Sequence, residues 1–120
     1  MTGFHTIGEV DLGDYGRARV RIGRYPKGGQ LAITLVDADT SEPIANLSTN
    51  LATYKHSTAP DAAGIKVWSE NAPIIEPLLA SGLFKDTGER ITAEYVEIPI
   101  WRLSNPEHVP PMPPQRQPCR

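Results

Sequence analysis

Residues 17–22 read Arg-Ala-Arg-Val-Arg-Ile, a strict alternation that puts Ala18, Val20 and Ile22 on one side and Arg17, Arg19 and Arg21 on the other. Period two with β-branched residues predicts a strand. Tyr-Pro-Lys-Gly-Gly follows at 25–29. Pro26 sets φ there, and Gly28 and Gly29 admit positive φ, so the chain is expected to turn back. Residues 30–38 alternate Leu31, Ile33 and Leu35 with Ala32, Thr34 and Val36. Both faces are largely apolar, which suits a central strand. Upstream, Val10 and Leu12 alternate with Ile7, Glu9 and Asp11, the pattern of a short edge strand, and Asp14-Tyr15-Gly16 signals a turn.

After a polar connection at 37–43, residues 44–51 place Ala45, Leu47, Thr49 and Leu51 on one face. Asn46, Ser48 and Asn50 fall on the other, so a third meander strand with a polar outer side is expected. Residues 54–64 read as a loop, and 65–68 as a short strand. One helix is predicted in 69–84: Ser69 or Asn71 supplies the cap, and Pro73 falls in the first turn. Ile74, Ile75, Leu78 and Leu79 share a face, and Gly82 suits the position just past the end. Pro77 conflicts with a long helix, because an interior proline costs about 3 kcal/mol relative to Ala. The helix is therefore expected to be short and kinked, or to start near Glu76. Asp86–Arg90 reads as a turn, and 91–103 as a last strand with Val96, Ile98 and Ile100 inward and Tyr95, Glu97 and Trp101 outward. Pro99 lacks a ladder N–H, so an edge position or a bulge is expected there.

The sum is α+β: an antiparallel sheet of five to six strands with one short helix on one face. Its 120 residues suit one domain, taken as 1–104. Residues 105–120 hold six prolines in sixteen and read as a disordered tail. The formal charge of −2 is near balance, although residues 1–30 carry five cations against three acids. The single cysteine, Cys119, rules out an intramolecular disulfide and a Cys-based metal site and fits a reducing compartment. No apolar run is long enough to span a membrane, and no signal-peptide pattern opens the chain. A cytoplasmic protein of a bacterial host is expected.

Successive outward positions on a strand lie ~6.6–6.8 Å apart, close to the phosphate spacing of an extended nucleic-acid strand. Arg17, Arg19 and Arg21, with Arg24 and Lys27, could therefore hold an anionic ligand or nucleic acid. They could equally meet a partner protein, or form a solvated face paired with Glu9, Glu94 or Glu97. Trp68, Tyr95 and Trp101 are candidate interface aromatics, with the core as the alternative for the tryptophans. His5, His56 and His108 stand far apart and form no metal motif, and no nucleophile elbow or full phosphate loop occurs. No catalytic residue, metal or cofactor is assigned. The polar row Asn46, Ser48 and Asn50 would let an edge pair with a second copy, as a homodimer.

Several motifs recur together: the Gly-flanked apolar strand of residues 28–37; Ala45 and Leu47 with Asn50 and Leu51; Asn71 and Pro73 with Gly82 and Leu83; and Ile98-Pro99-Ile100. In these the chain resembles a family of small uncharacterised proteins carried by phages, plasmids and integrative elements. The resemblance covers about three fifths of the chain and implies a mobile-element origin. Small proteins of that origin often antagonise host defence by binding. By that analogy the expected function is a non-enzymatic inhibitor, anti-CRISPR or similar, of a host protein or ribonucleoprotein complex. The alternative is sequestration of a nucleotide or nucleic acid on the arginine row.

Overall fold

The computed structural model describes residues 4–25, 29–51, 59, 61–67, 69–93 and 96–109. It is α+β, and the strands form two four-stranded antiparallel sheets rather than one. The first sheet runs in chain order: β1 (His5–Asp11), β2 (Arg17–Arg24), β3 (Leu31–Asp37) and β4 (Pro43–Asn46). As the alternation predicts, β1 is an edge and β3 lies inside the sheet. The Tyr25 N–H donates to the Gln30 carbonyl (2.9 Å) and the Gly29 N–H to the Tyr25 carbonyl (3.2 Å), closing the expected β2–β3 hairpin. Between β3 and β4, Oδ1 of Asp37 accepts from the N–H groups of Asp39 (2.8 Å) and Thr40 (3.0 Å). Those backbone bonds hold the Asp37 carboxyl below the usual carboxylate range.

The stretch 44–51 is not one strand. β4 ends at Asn46, and Ser48–Thr49 form β5, the edge of the second sheet. The chain changes sheets at Leu47, whose N–H donates to the Ile33 carbonyl (2.9 Å) and whose carbonyl accepts from the Lys66 N–H (2.7 Å). The polar row is split by this step: Asn46 is exposed, Asn50 half-buried and Ser48 buried. Oγ of Ser48 accepts from the Ile33 N–H (2.8 Å) and hydrogen-bonds the Tyr25 hydroxyl (2.8 Å).

The second sheet is completed by β6 (Ala62–Ile65), β7 (Phe84–Ala93) and β8 (Val96–Leu103), in the order β5-β6-β8-β7. Three expectations change here, the first being that the short strand expected at 65–68 lies at Ala62–Ile65, reaching into the end of the expected loop. Asp86–Arg90 is not a turn but a bulge inside β7, and the predicted strand 91–103 is divided between β7 and β8, with Ala93 paired to Val96. Asp86 faces Trp101 and Arg90 faces Pro99, so three β7 residues stand opposite Ile100 alone. The Thr87 hydroxyl donates to the Ile100 carbonyl (2.7 Å), and Gly88 sits at φ +86°. Of the two options for Pro99, the bulge is the one found, since β8 lies inside its sheet.

Residues 69–74 form a 3-10 helix containing Pro73, which continues into α1 (Ile75–Ala80). Pro77 is the third residue of α1, within the first turn where a backbone N–H has no intrahelical partner. The helix is short, as the proline requires, and Gly82 ends it at φ +82°. Asn71 does not cap α1. It is wholly buried, and its Nδ2 donates to the carbonyls of Asn46 (2.9 Å) and Lys66 (3.0 Å), joining the end of β4 to the end of β6.

One core lies between the sheets. Val20, Ile22 and Ile33 of the first meet Ile65, Trp101 and Leu103 of the second, with Ile74 and Leu78 from the helical segment. A smaller cluster of Leu51, Ala62, Ile98 and Ile100 covers the other face of β8. Pro106–His108 form a 3-10 turn capped by Asn105, and Val109 packs against the main core. No helix among the described residues is long and apolar enough to cross a membrane.

Candidate functional site

The arginine row occupies the outer face of the first sheet. Ala18, Val20 and Ile22 are fully buried between the sheets, so period two turns Arg17, Arg19 and Arg21 away from the second sheet and α1. β1 supplies the counter-charge, with Glu9 directly opposite Arg19 and Asp11 opposite Arg17. Arg17 Nη2 donates to Glu9 Oε1 at 2.7 Å, and Arg19 Nε lies 3.8 Å from Glu9 Oε2. Arg19 Nη1 also donates to the Ser41 hydroxyl (3.2 Å). Exposure falls along the row, from 68% for the Arg17 side chain to 37% for Arg19. Arg21 is half-buried: Nη2 donates to the Phe4 carbonyl (3.3 Å), and Nε is buried with no hydrogen-bond partner among the described residues. The face is a ladder of mixed charge, and the pairing with Glu9 is seen. Glu97 lies instead on β8, opposite Thr92, and Glu94 is outside the described residues.

Arg24 does not belong to the row. Its position shares the parity of Ala18, Val20 and Ile22, and the carboxylate that acts on it is Asp61, beside β6. Burial pulls its pKa down, and Asp61 opposes this. Lys27, Trp68 and Tyr95 lie outside the described residues.

Trp101, expected outward, is 2% exposed and packs on Phe84 with ring centroids 5.7 Å apart. Both faces of β8 are covered, so an inside-outside alternation does not apply to it. Trp101 forms part of the floor of a cleft of about 250 Å³ between α1 and the β7–β8 hairpin. Ile75, Leu79 and Pro99 supply apolar walls, and Asp86, Arg90 and Glu97 supply charge. The bulge brings Asp86 and Arg90 together: Arg90 Nη1 and Nη2 donate to Asp86 Oδ1 and Oδ2 at 3.0 and 3.2 Å. The bidentate pair holds the Asp86 carboxyl below its usual range and raises Arg90.

A second cleft, of about 210 Å³, is lined by Asp61, Lys85, Arg102, Leu103, Ser104 and Pro106. Lys85 and Arg102 carry no sequence signal. They stand 17 positions apart and meet only through the β7–β8 register, which a reading of 86–90 as a turn conceals. Among the described residues, no three His, Cys, Asp or Glu side chains gather as metal ligands. No family model, curated protein or solved structure matches the chain.

Proposed function

We propose that this chain is a non-enzymatic binding protein that docks on a protein partner through the outer face of the first sheet. The observation that carries the reading is the mixed-charge ladder of Glu9, Arg17 and Arg19 on the face turned away from the core. A polyanion favours uniform positive charge, because affinity comes from phosphate neutralisation. Glu9 and Asp11 on β1 oppose that, and Asp37 acts on Arg19 from the end of β3. An alternating pattern instead suits a protein surface of complementary pattern, where charge sets register and partner choice. The mobile-element resemblance supports a host complex, with a defence complex first among them, as the partner class.

Capture on immobilised protein from bacterial lysates tests the proposal, comparing the native chain with Arg19→Glu/Arg21→Glu. The expected result is a discrete partner held by the native chain and lost from the doubly reversed variant, with circular dichroism unchanged. Capture of the same partner by both proteins overturns the reading, as does absence of any partner from several hosts at low salt. Arg21 Nε, buried without an acceptor among the described residues, favours a second reading in which the row holds a nucleotide or nucleic acid. Thermal stabilisation by a nucleotide or oligonucleotide that fades steeply with salt and is lost in the same variant would favour it over a protein partner.

A further inference from the structure

On the outer side of the second sheet, the β7–β8 register sets Lys85 directly opposite Arg102. Directly paired residues project from the same face, and like charges so placed destabilise a ladder. Counter-charge is short. Arg102 Nε donates to Asp61 Oδ2 at 3.1 Å, while the Lys85 ammonium makes no hydrogen bond or ion pair with the described residues. Asp61 is already shared, since it also acts on Arg24. Lys85 and Arg102 therefore line the cleft with one carboxylate, Asp61, a surplus of one positive charge among its lining residues.

The cleft is held in shape by its backbone. The Leu103 N–H donates to the Asp61 carbonyl (2.9 Å) and the Ser104 N–H to the Leu83 carbonyl (3.0 Å). Oδ1 of Asn105 accepts from the Glu107 N–H (2.9 Å), setting the short turn that begins at Pro106. Among the described residues Arg102 commits only its Nε, and its side chain is 57% exposed, so the Nη groups can donate outward. The cleft's 210 Å³ accommodates a phosphoryl group on a short stem.

We propose that this cleft binds a small phosphate monoester, with Lys85 and the Nη groups of Arg102 on the phosphoryl oxygens and the Ser104 hydroxyl donating a further bond. A phosphoryl group carries charge of the sign that this surplus attracts, and a tetrahedral group can accept from three directions at once. The stem would lie against Leu103 and Pro106. This site is separate from the arginine row and does not depend on it.

Titration of the ¹⁵N-labelled full chain with glycerol 3-phosphate, followed by amide shifts, tests the site. Saturable shifts confined to residues near 61, 85 and 102–104 are expected. Lys85→Gln should weaken Kd at least tenfold; because Lys85 has no partner among the described residues, the variant is expected to fold. Arg102→Gln should do the same, and Arg19→Gln should leave Kd unchanged. A parallel titration with a phosphoserine peptide separates the sources of the group. Tighter binding of the peptide assigns the site to a phosphorylated protein, and tighter binding of glycerol 3-phosphate assigns it to a small molecule. Shifts on Arg17–Arg21 instead, equal shifts with chloride at matched ionic strength, or an unchanged Kd in Lys85→Gln overturn the proposal.

Discussion

Ser48 sits on a strand of only two residues, yet its hydroxyl serves groups from β3 and from the β2–β3 hairpin. It accepts from the buried Ile33 N–H, and the Tyr25 hydroxyl bonds both its Oγ and, at 3.1 Å, its carbonyl. Burial pushes the Tyr25 hydroxyl up, with the Ser48 bond opposing. Ser48→Ala leaves the Ile33 N–H without an acceptor in a site where Ser48 is 4% exposed. A buried donor left unmet costs about 1–3 kcal/mol. Tyr25→Phe keeps the Ile33 bond and should cost less, about 1 kcal/mol. Urea denaturation of both variants checks the order; equal losses, or a larger loss in Tyr25→Phe, would mean the Ile33 bond is not the main term. Asp86 gives a pH-dependent case. Its folded pKa is depressed, so its contribution is present above the ordinary carboxylate range and lost as pH falls through the lower folded value. Asp86→Asn should therefore lower stability near neutrality by under about 1 kcal/mol, since the pair is partly exposed. The gap to the native chain should close in acid, and denaturation midpoints across pH measure it.

At the scale of elements, the bulge in β7 explains why one hairpin is legible and the other is not. β2 and β3 each bury one regular face, and the glycine pair between them marks their turn, so period two finds both strands. In β7, Asp-Thr-Gly-Glu uses the residues of a turn to make a bulge: Oδ1 of Asp86 accepts from the Gly88 N–H (2.9 Å) as an Asx turn would. Local chemistry cannot tell the two apart, because what distinguishes them is whether β8 continues past on the other side. The same hidden pairing conceals Lys85 and Arg102, while the arginine row is legible because it needs only its own strand. Trp101 is misplaced for a related reason: Leu51 arrives from outside the sheet to cover the second face of β8. That contact makes a prediction. A Cβ built on Gly64 would stand 2.7 Å from Leu51 Cδ2 and 2.9 Å from Ile98 Cγ2. Gly64→Ala should therefore cost about 1–3 kcal/mol by overpacking. Leu51→Ala in the same chain should recover part of that loss, which thermal denaturation of the single and double variants would read as non-additivity. Full additivity would show that Leu51 does not set the limit at Gly64.

At the scale of the molecule, the two sheets are joined at both ends. The chain itself crosses from β4 to β5 at Leu47, where Asn71 ties the carbonyls of Asn46 and Lys66. At the far edges, α1 touches β1 of the first sheet and β7 of the second, and its Leu78 is fully buried in the shared core. A helix of six residues is too short to hold its shape alone. Packing of Leu78 against both sheets must therefore supply most of its stability. Two halves bound through one core should unfold together. Leu78→Ala should cost about 2–5 kcal/mol. Hydrogen exchange should then quicken by a common factor in β2–β3 and in β6–β8, since each opens only through the global transition. If protection falls in the second sheet while β2–β3 keeps its native value, the sheets are separate cooperative units, and the arginine face rests on a sheet that stands without α1.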